Sequence, residues 1–181
     1  MDRKITLPAS KEELKSLRAG DIIRLSGVIY TARDAAHKRI CDMLSRGEKP
    51  PFPIERSVIY YSGPCPTKPG DVIGSCGPTT SYRMDKYAPV FYENGADGAI
   101  GKGVIGTDVK EAMKKHGCVY FIATGGAGAL LKSRVKKCDI VAFPELGAEA
   151  VRRLEVEDMP LIVGVDTKGR DIYESALAET R

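Results

Sequence analysis

The sequence predicts an α/β domain, layered around a mostly parallel sheet with an antiparallel hairpin near the C-terminus. Short runs rich in β-branched and aromatic residues alternate with segments whose apolar residues recur at helical spacing, the mark of strand–helix–strand units. That alternation stops after residue 150, where RRLEVEDMP and LIVGVDTKGRDIYE follow one another as strand-like sequence. The chain has 181 residues and no internal repeat, low-complexity tract or linker, so one domain is expected over 1–181, large enough for a hydrophobic core.

Each element has a local reason. Ser10-Lys-Glu-Glu13 has the form of a capping box, and Leu14 and Leu17 follow at helical spacing until Gly20. DIIRLSGVIYTA reads as a strand, with Ile23 and Leu25 among residues that suit a pleated surface. Asp34 is placed to cap the next helix, whose Ala36, Ile40, Met43 and Leu44 share one face and which Gly47 ends. EKPPFP is a rigid loop, SVIYYSG a strand, GPCPTKPGD a turn-rich connection, and VIGSCG a short strand or strand end. A helix is expected after Pro78, with Met84, Tyr87 and Phe91 on one face and Gly95 as its stop. GAIGKG is a short strand entering a glycine loop, and Thr107 caps a helix carrying Val109 and Met113. CVYFIAT is a strand, GGAGALLKSRVKK a loop and helix, and CDIVAF a further strand. The final hairpin turns at Thr167-Lys-Gly169.

Composition narrows the function. At 43% hydrophobic and 29% charged, the chain has the make-up of a soluble globular protein. No apolar run approaches the roughly 20 residues of a membrane helix. MDRKITLPASKEELKS lacks the apolar core and small-residue cleavage site of a secretory signal, so the cytoplasm is the expected location. The net charge of +4 comes from 28 basic residues interleaved with 24 acidic ones. Lys136-Lys137 and Arg152-Arg153 therefore read as solvated faces, and neither nucleic acid nor a membrane is expected as a partner.

Cys41, Cys65, Cys76, Cys118 and Cys138 are odd in number and contain no CxxC pair, which argues against a disulfide framework and against a metal site in this chain. Cys118 and Cys138 each open an apolar run and suit small buried positions. Cys65 and Cys76 lie in loop-like sequence, and two such cysteines cannot hold a cluster.

Three glycine-rich places compete as sites. Gly125-Gly-Ala-Gly128 precedes a helix, but it lacks the GxGxxG spacing of a dinucleotide fingerprint and the GK[ST] of a phosphate loop. Tight packing is its simplest reading. Lys102 stands between two glycines at a strand end, where the backbone can approach a ligand. In GSCGPTTSYRMD, Gly77-Pro78 sets a turn, Thr79 and Thr80 occupy a helix entry, and Arg83 lies three or four residues on, able to face the same pocket. A guanidinium fork matches a carboxylate in a way an ammonium cannot. Arg33, in ARDAAH, stands where a strand meets a helix, the usual place for ligand contacts in open α/β sheets. Asp34 reads as a helix cap, and His37, one turn in, as structural or exposed.

Taken together, ARDAAH, YYSGPCP, GSCGPTTSYRMD, GAIGKG and TGGAGAL resemble, in that order, the iron–sulfur hydro-lyases: the β subunit, or C-terminal domain, of class I fumarase and L-tartrate dehydratase. LGAEA and VEDMPLIVGVDTKGR resemble that family's ending, so the likeness covers nearly the whole chain. The resemblance implies a swivelling β/β/α fold and the reversible hydration of fumarate to L-malate, a tricarboxylic acid cycle step. It implies a 4Fe–4S cluster ligated by cysteines of a partner α subunit, with no ligand from this chain, which makes Cys76 incidental. It assigns Arg33, Arg83 and Lys102 to the substrate carboxylates, and proton transfer to Thr79, with Thr80 as second choice. A threonine needs nearby positive charge or a partner to act so. ARDAAH, without a cysteine, favours fumarate over L-tartrate as substrate. A dicarboxylate-binding module without turnover is the reading from another class, and a surface meant for a partner allows homo-oligomers of the isolated chain.

Overall fold

The computed structural model describes residues 2–179. Seven strands form one sheet: β1 (Arg3–Thr6), β2 (Ile22–Thr31), β3 (Val58–Tyr60), β4 (Gly98–Gly101), β5 (Val119–Ile122), β6 (Val135–Ala142) and β7 (Val151–Val165). The helices are α1 (Lys11–Ser16), α2 (Asp34–Ser45), α3 (Ala88–Glu93), α4 (Thr107–His116), α5 (Gly128–Ser133) and α6 (Ile172–Glu179). The sheet order is β1-β2-β3-β4-β5-β7-β6, with a further pairing of β2 to β7. β1 through β5 run parallel to their neighbours, whereas β7 is antiparallel to β2, β5 and β6. Because β7 pairs with both β2 and β5, the sheet closes on itself as a small barrel of mixed strand direction.

Period-2 alternation sorts the core into two faces. Ile23, Leu25, Ile29, Val58, Tyr60, Ile100, Phe121, Leu161 and Val163 belong to one buried cluster. Their neighbours Tyr30, Ile59, Tyr61, Ala99 and Tyr120 point the other way and pack with Ala36 and Ile40 of α2, Phe91 of α3, and Val109 and Met113 of α4. α2, α3 and α4 thus cover one face of the parallel strands, Leu14 of α1 and Leu131 of α5 join the other cluster, and the connections deliver loops to the C-terminal ends of β2–β5.

Several expectations are corrected. RRLEVEDMP and LIVGV form one 15-residue strand rather than two, and the hairpin's return arm shrinks to one bridge, Val165 to Asp171, before α6 begins. Pro160 is accommodated inside this strand, because it lies where β6 pairing has ended at Val156 and β5 pairing has not begun at Ile162, so its missing N–H is tolerated. Arg3–Thr6 is an edge strand that the sequence reading passed over, and VKK opens β6 rather than closing a helix. VIGSCG is loop. The helix expected after Pro78 is a 3₁₀ turn, Ser81–Met84, followed by the separate α3.

The Ser10 half of the capping box forms, its side chain accepting from the Glu13 N–H at 3.0 Å. Asp34 and Thr107 are each the first helical residue rather than the cap. Side chains from other elements do the capping: Glu149 Oε2 accepts from Ala35 N at 2.8 Å, and Asp85 Oδ2 from Gly106 N at 2.7 Å. Burial holds the Asp85 carboxyl above its ordinary range, partly offset by that hydrogen bond.

Candidate active site

Five residues singled out in the sequence lie on one rim, at the C-terminal ends of the parallel strands. β2 leaves the barrel at Ala32, whose N–H bonds to Tyr60 O at 3.1 Å, and delivers Arg33 as the residue preceding α2. The Arg33 guanidinium lies against the loop after β3, 2.8 Å from where a side chain on Gly63 would begin. Its Nε is buried without a hydrogen-bond partner among the described residues, while Nη2 stands 3.8 Å from Glu149 Oε1. A buried donor with nothing to donate to is a costly arrangement that a bound acceptor would relieve.

The GPTT segment crosses the same rim. Thr79 donates its N–H to Tyr61 O at 2.7 Å, and Pro78 bridges Ser62. Thr80 forms a parallel bridge with Lys102, the residue just after β4, and Ser81 N donates to Lys102 O at 2.9 Å. Thr80 precedes the 3₁₀ turn, yet its hydroxyl makes no capping bond and the residue is exposed. The stem of Lys102 crosses the loop after β5, with its Cδ 3.1 Å from the position of a Cβ on Gly125.

Arg83 departs from expectation. Its fork is engaged by Asp34, with Nη2 2.7 Å from Oδ2 and Nε 3.3 Å from Oδ1. Asp34, read from the sequence as a cap, is therefore the counterion that ties Arg83 to the segment carrying Arg33.

Sequence reasoning missed the residues that hold this rim. The Ser81 side chain is fully buried and accepts the Lys102 N–H at 3.0 Å. Tyr120 donates to Gly103 O at 2.8 Å, so the 2.8 Å contact between Ser81 Oγ and Tyr120 Oη has Ser81 as its donor. A directed chain runs from Lys102 N–H through Ser81 and Tyr120 to Gly103, clamping both sides of the lysine. A Cβ on Gly101 would overlap the Ser81 hydroxyl, so this glycine is required by close approach. Ser81 was visible inside GPTTS, but nothing in CVYFIAT marks the Tyr120 hydroxyl as its partner. Glu149 lay in LGAEA and carried no separate signal.

The remaining singled-out groups are structural. Gly128 lies against Gly77 and its carbonyl accepts from Cys76 N at 3.3 Å, which is the packing role expected of TGGAG. His37 is buried among Tyr61, Tyr87 and Phe91, and burial lowers its pKa to about 4, leaving it neutral with Nδ1 2.9 Å from Arg33 O.

The five cysteines are unpaired, and among the described residues no three His, Cys, Asp or Glu side chains gather as a metal-binding set. Burial pushes the thiols of Cys41 and Cys76 up to about 11 and that of Cys118 to about 12, away from the thiolate a metal requires. This chain's cysteines do not fit an iron–sulfur cluster of their own. Among the described residues no helix is long and apolar enough to cross a membrane.

Fold and rim together define a small mixed α/β barrel whose loops gather two arginines, a lysine and two threonines at one end. The model of the Fumarase C-terminus family matches residues 1–176, and the chain belongs to that family. It is 41% identical over 180 residues to "Fumarate hydratase 2" of Leishmania major, covering 98% of this chain and 32% of that protein. It is 44% identical over 171 residues to "Putative L(+)-tartrate dehydratase subunit beta" of Methanocaldococcus jannaschii, covering 91% of this chain and 88% of that subunit. It is 38% identical over 165 residues to "Fumarate hydratase class I, aerobic" of Salmonella typhimurium, covering 90% of this chain and 28% of that protein. The chain thus spans about a third of the fumarate hydratases it matches, and nearly all of the separate β subunit.

Proposed function

We propose that this chain is the β subunit of an iron–sulfur hydro-lyase that interconverts fumarate and L-malate and is active only with its α subunit. The observation that carries the reading is the convergence of Arg33, Arg83, Lys102, Thr79 and Thr80 on one rim, with the Arg33 Nε buried and unpartnered. A dianionic substrate needs cations at both ends, and two planar forks with one ammonium suit two carboxylates. Arg83 would exchange the Asp34 carboxylate for one of the substrate's. The side chains of that pair are 48% and 32% exposed, and such partly screened pairs contribute only about 0–1 kcal/mol, so displacement is cheap.

Proton transfer at the carbon beside a carboxylate falls to Thr79, whose backbone is pinned to Tyr61, with Thr80 as second candidate because it adjoins Lys102. Either hydroxyl would rely on the cationic rim for activation. The 4Fe–4S cluster belongs to the partner, where an open iron position would polarise the substrate hydroxyl. Tyr82 and Val104 are 68% and 53% exposed beside Arg83 and Gly103, an apolar surface consistent with a covering partner. We read the barrel, with α2, α3 and α4 on one face, as the swivelling β/β/α type, working as one domain. Five unpaired thiols suit a reducing cytoplasm.

L-tartrate dehydratase is the second reading, favoured by the 44% identity to a subunit of that name. Anaerobic affinity purification from the native cell, with assays on fumarate and L-tartrate, tests both. A co-purifying iron-bearing subunit with fumarate turnover is expected, and turnover of L-tartrate alone selects the second reading. An iron-free, inactive chain that still binds fumarate would mark a dicarboxylate-binding module.

A further inference from the structure

A cluster of lysines without ion-pair partners among the described residues lies away from the rim. A cavity of about 640 Å³ opens beside Gly117, before β5 begins, whereas Lys102 and Gly125 lie past the C-terminal ends of β4 and β5. The four residues of β5 put about 13 Å between the two places. Three elements supply the cavity's cations: Lys11 and Lys15 from α1, Lys114 and Lys115 from the last turn of α4, and Lys168 from the turn after β7.

Lys11 is neutralised, its Nζ 2.6 Å from Asp97 Oδ1, and that fully buried carboxylate also holds Arg56 at 2.9 Å. Among the described residues, Lys15, Lys114, Lys115 and Lys168 have no acidic partner within ion-pair distance. Glu12 and Glu111, on the same helices, do not pair with them either. The lysines at the end of α4 complement its macrodipole, but that does not account for Lys15 and Lys168 on other elements. The turn bearing Lys168 is fixed, because buried Asp166 accepts from Lys168 N at 2.9 Å and from Arg170 N at 3.2 Å. His116 also lines the cavity, and its Nε2 is buried with no hydrogen-bond partner among the described residues.

We propose that this cleft binds a small polyphosphate, a ligand carrying a chain of phosphate groups. All its cations are lysines. Ammonium groups act as point charges on phosphate, whereas the rim uses arginine forks that match planar carboxylates. The volume is within the ordinary range of roughly 300–1,000 Å³ for ligand pockets. A triphosphate carries three to four negative charges and balances the four unpaired lysines. Bound there, it ties α1, α4 and the turn after β7 together.

Titration calorimetry of the purified chain with inorganic tripolyphosphate and with a nucleoside triphosphate, at physiological salt, tests this. The double variant Lys114→Glu/Lys115→Glu should raise Kd for tripolyphosphate at least about tenfold, equivalent to about 1.4 kcal/mol. Lys136→Glu/Lys137→Glu makes the same change in net charge on β6 and should leave Kd within about twofold. Equal affinity for the two ligands assigns recognition to the phosphate chain, and tighter binding of the nucleoside triphosphate adds contacts to the nucleoside. Either result upholds the site. No binding, equal loss in both double variants, or displacement of tripolyphosphate by fumarate would each overturn it. The test needs no catalytic activity, so its failure is separable from failure of the hydro-lyase reading.

Discussion

Tyr120→Phe removes one oxygen atom and leaves the aromatic packing of β5 intact. The hydroxyl is the acceptor for the fully buried Ser81 and the donor to Gly103 O, both at 2.8 Å. Without it, the Ser81 proton has no acceptor and Gly103 O loses its donor. A buried group left unpaired costs about 1–3 kcal/mol, and Gly103 is open enough for water to compensate in part, so the loss should be about 2–3 kcal/mol. In a chain of this size that lowers Tm by about 5–10 °C.

The same clamp holds Lys102 beside Thr80, so under the proposed function the enzyme reconstituted with its partner should lose about 10–100-fold in kcat, since small displacements of positioned groups cost that much. Ser81→Ala should act through the same chain, and a double-mutant cycle should give a coupling of about 1–2 kcal/mol. Urea unfolding of the isolated chain measures the first quantity, and steady-state kinetics with the partner the second. Additive effects, or a Tyr120→Phe loss under about 0.5 kcal/mol, would refute the clamp.

Other consequences follow from the same geometry. Arg83→Lys should reduce kcat/KM by about 100-fold because an ammonium cannot replace the fork, and an unchanged value in steady-state kinetics would remove Arg83 from the site. Thr79→Ala should lower kcat with the partner's iron content intact, whereas a loss confined to unfolding stability would leave Thr79 a structural residue. At pH 8 a thiol reagent should modify exposed Cys65 first, with Cys76 and Cys118 reacting only on unfolding, as timed by mass spectrometry. His37, held neutral with its pKa near 4, takes up its proton more readily when unfolded, at about 6.5. Its contribution is complete above pH 6.5 and is lost as pH falls towards 4, about 3 kcal/mol in all; urea midpoints across that range should be flatter for His37→Gln.

The strands β2 to β5, of which β3 to β5 are buried on both faces, were legible as short apolar runs bounded by turn residues. Closure of the barrel was not, since it depends on β7 pairing with β2 at Ile29–Leu154 and with β5 at Phe121–Val163, residues far apart in sequence. The tolerance of β7 for Pro160 was illegible for a related reason: its cost depends on which neighbours a strand has, and that is a property of the sheet. The rim was legible as residue types at loop positions. Arg83 reached it by a different route from the one expected, on a 3₁₀ turn and through Asp34 rather than along a continuous helix with the threonines. Ser81 and Tyr120 were illegible because a serine or tyrosine hydroxyl acquires its role only from its partner, and theirs lie 39 positions apart.

The rim is built from two kinds of interaction with opposite demands. Ser81, Tyr120 and the backbone of Lys102 are joined out of solvent, where breaking one bond strands its partner. The charged pairs, Asp34 with Arg83 and Glu149 with Arg33, keep a quarter to a half of their side chains in water. Paired in this way, the two arginines avoid mutual repulsion in the free protein, yet neither pair is strong enough to resist a better-placed carboxylate. Asp34 and Glu149 are also fixed in place, one as the first residue of α2 and the other bonded to Ala35 N, so an incoming anion need not move the helix to reach the arginines. Asp34→Asn should accordingly leave unfolding stability within about 1 kcal/mol while tightening dicarboxylate binding by the isolated chain. Calorimetry with fumarate reads this directly, and weaker binding by that variant would show that Asp34 orients Arg83 rather than competing for it.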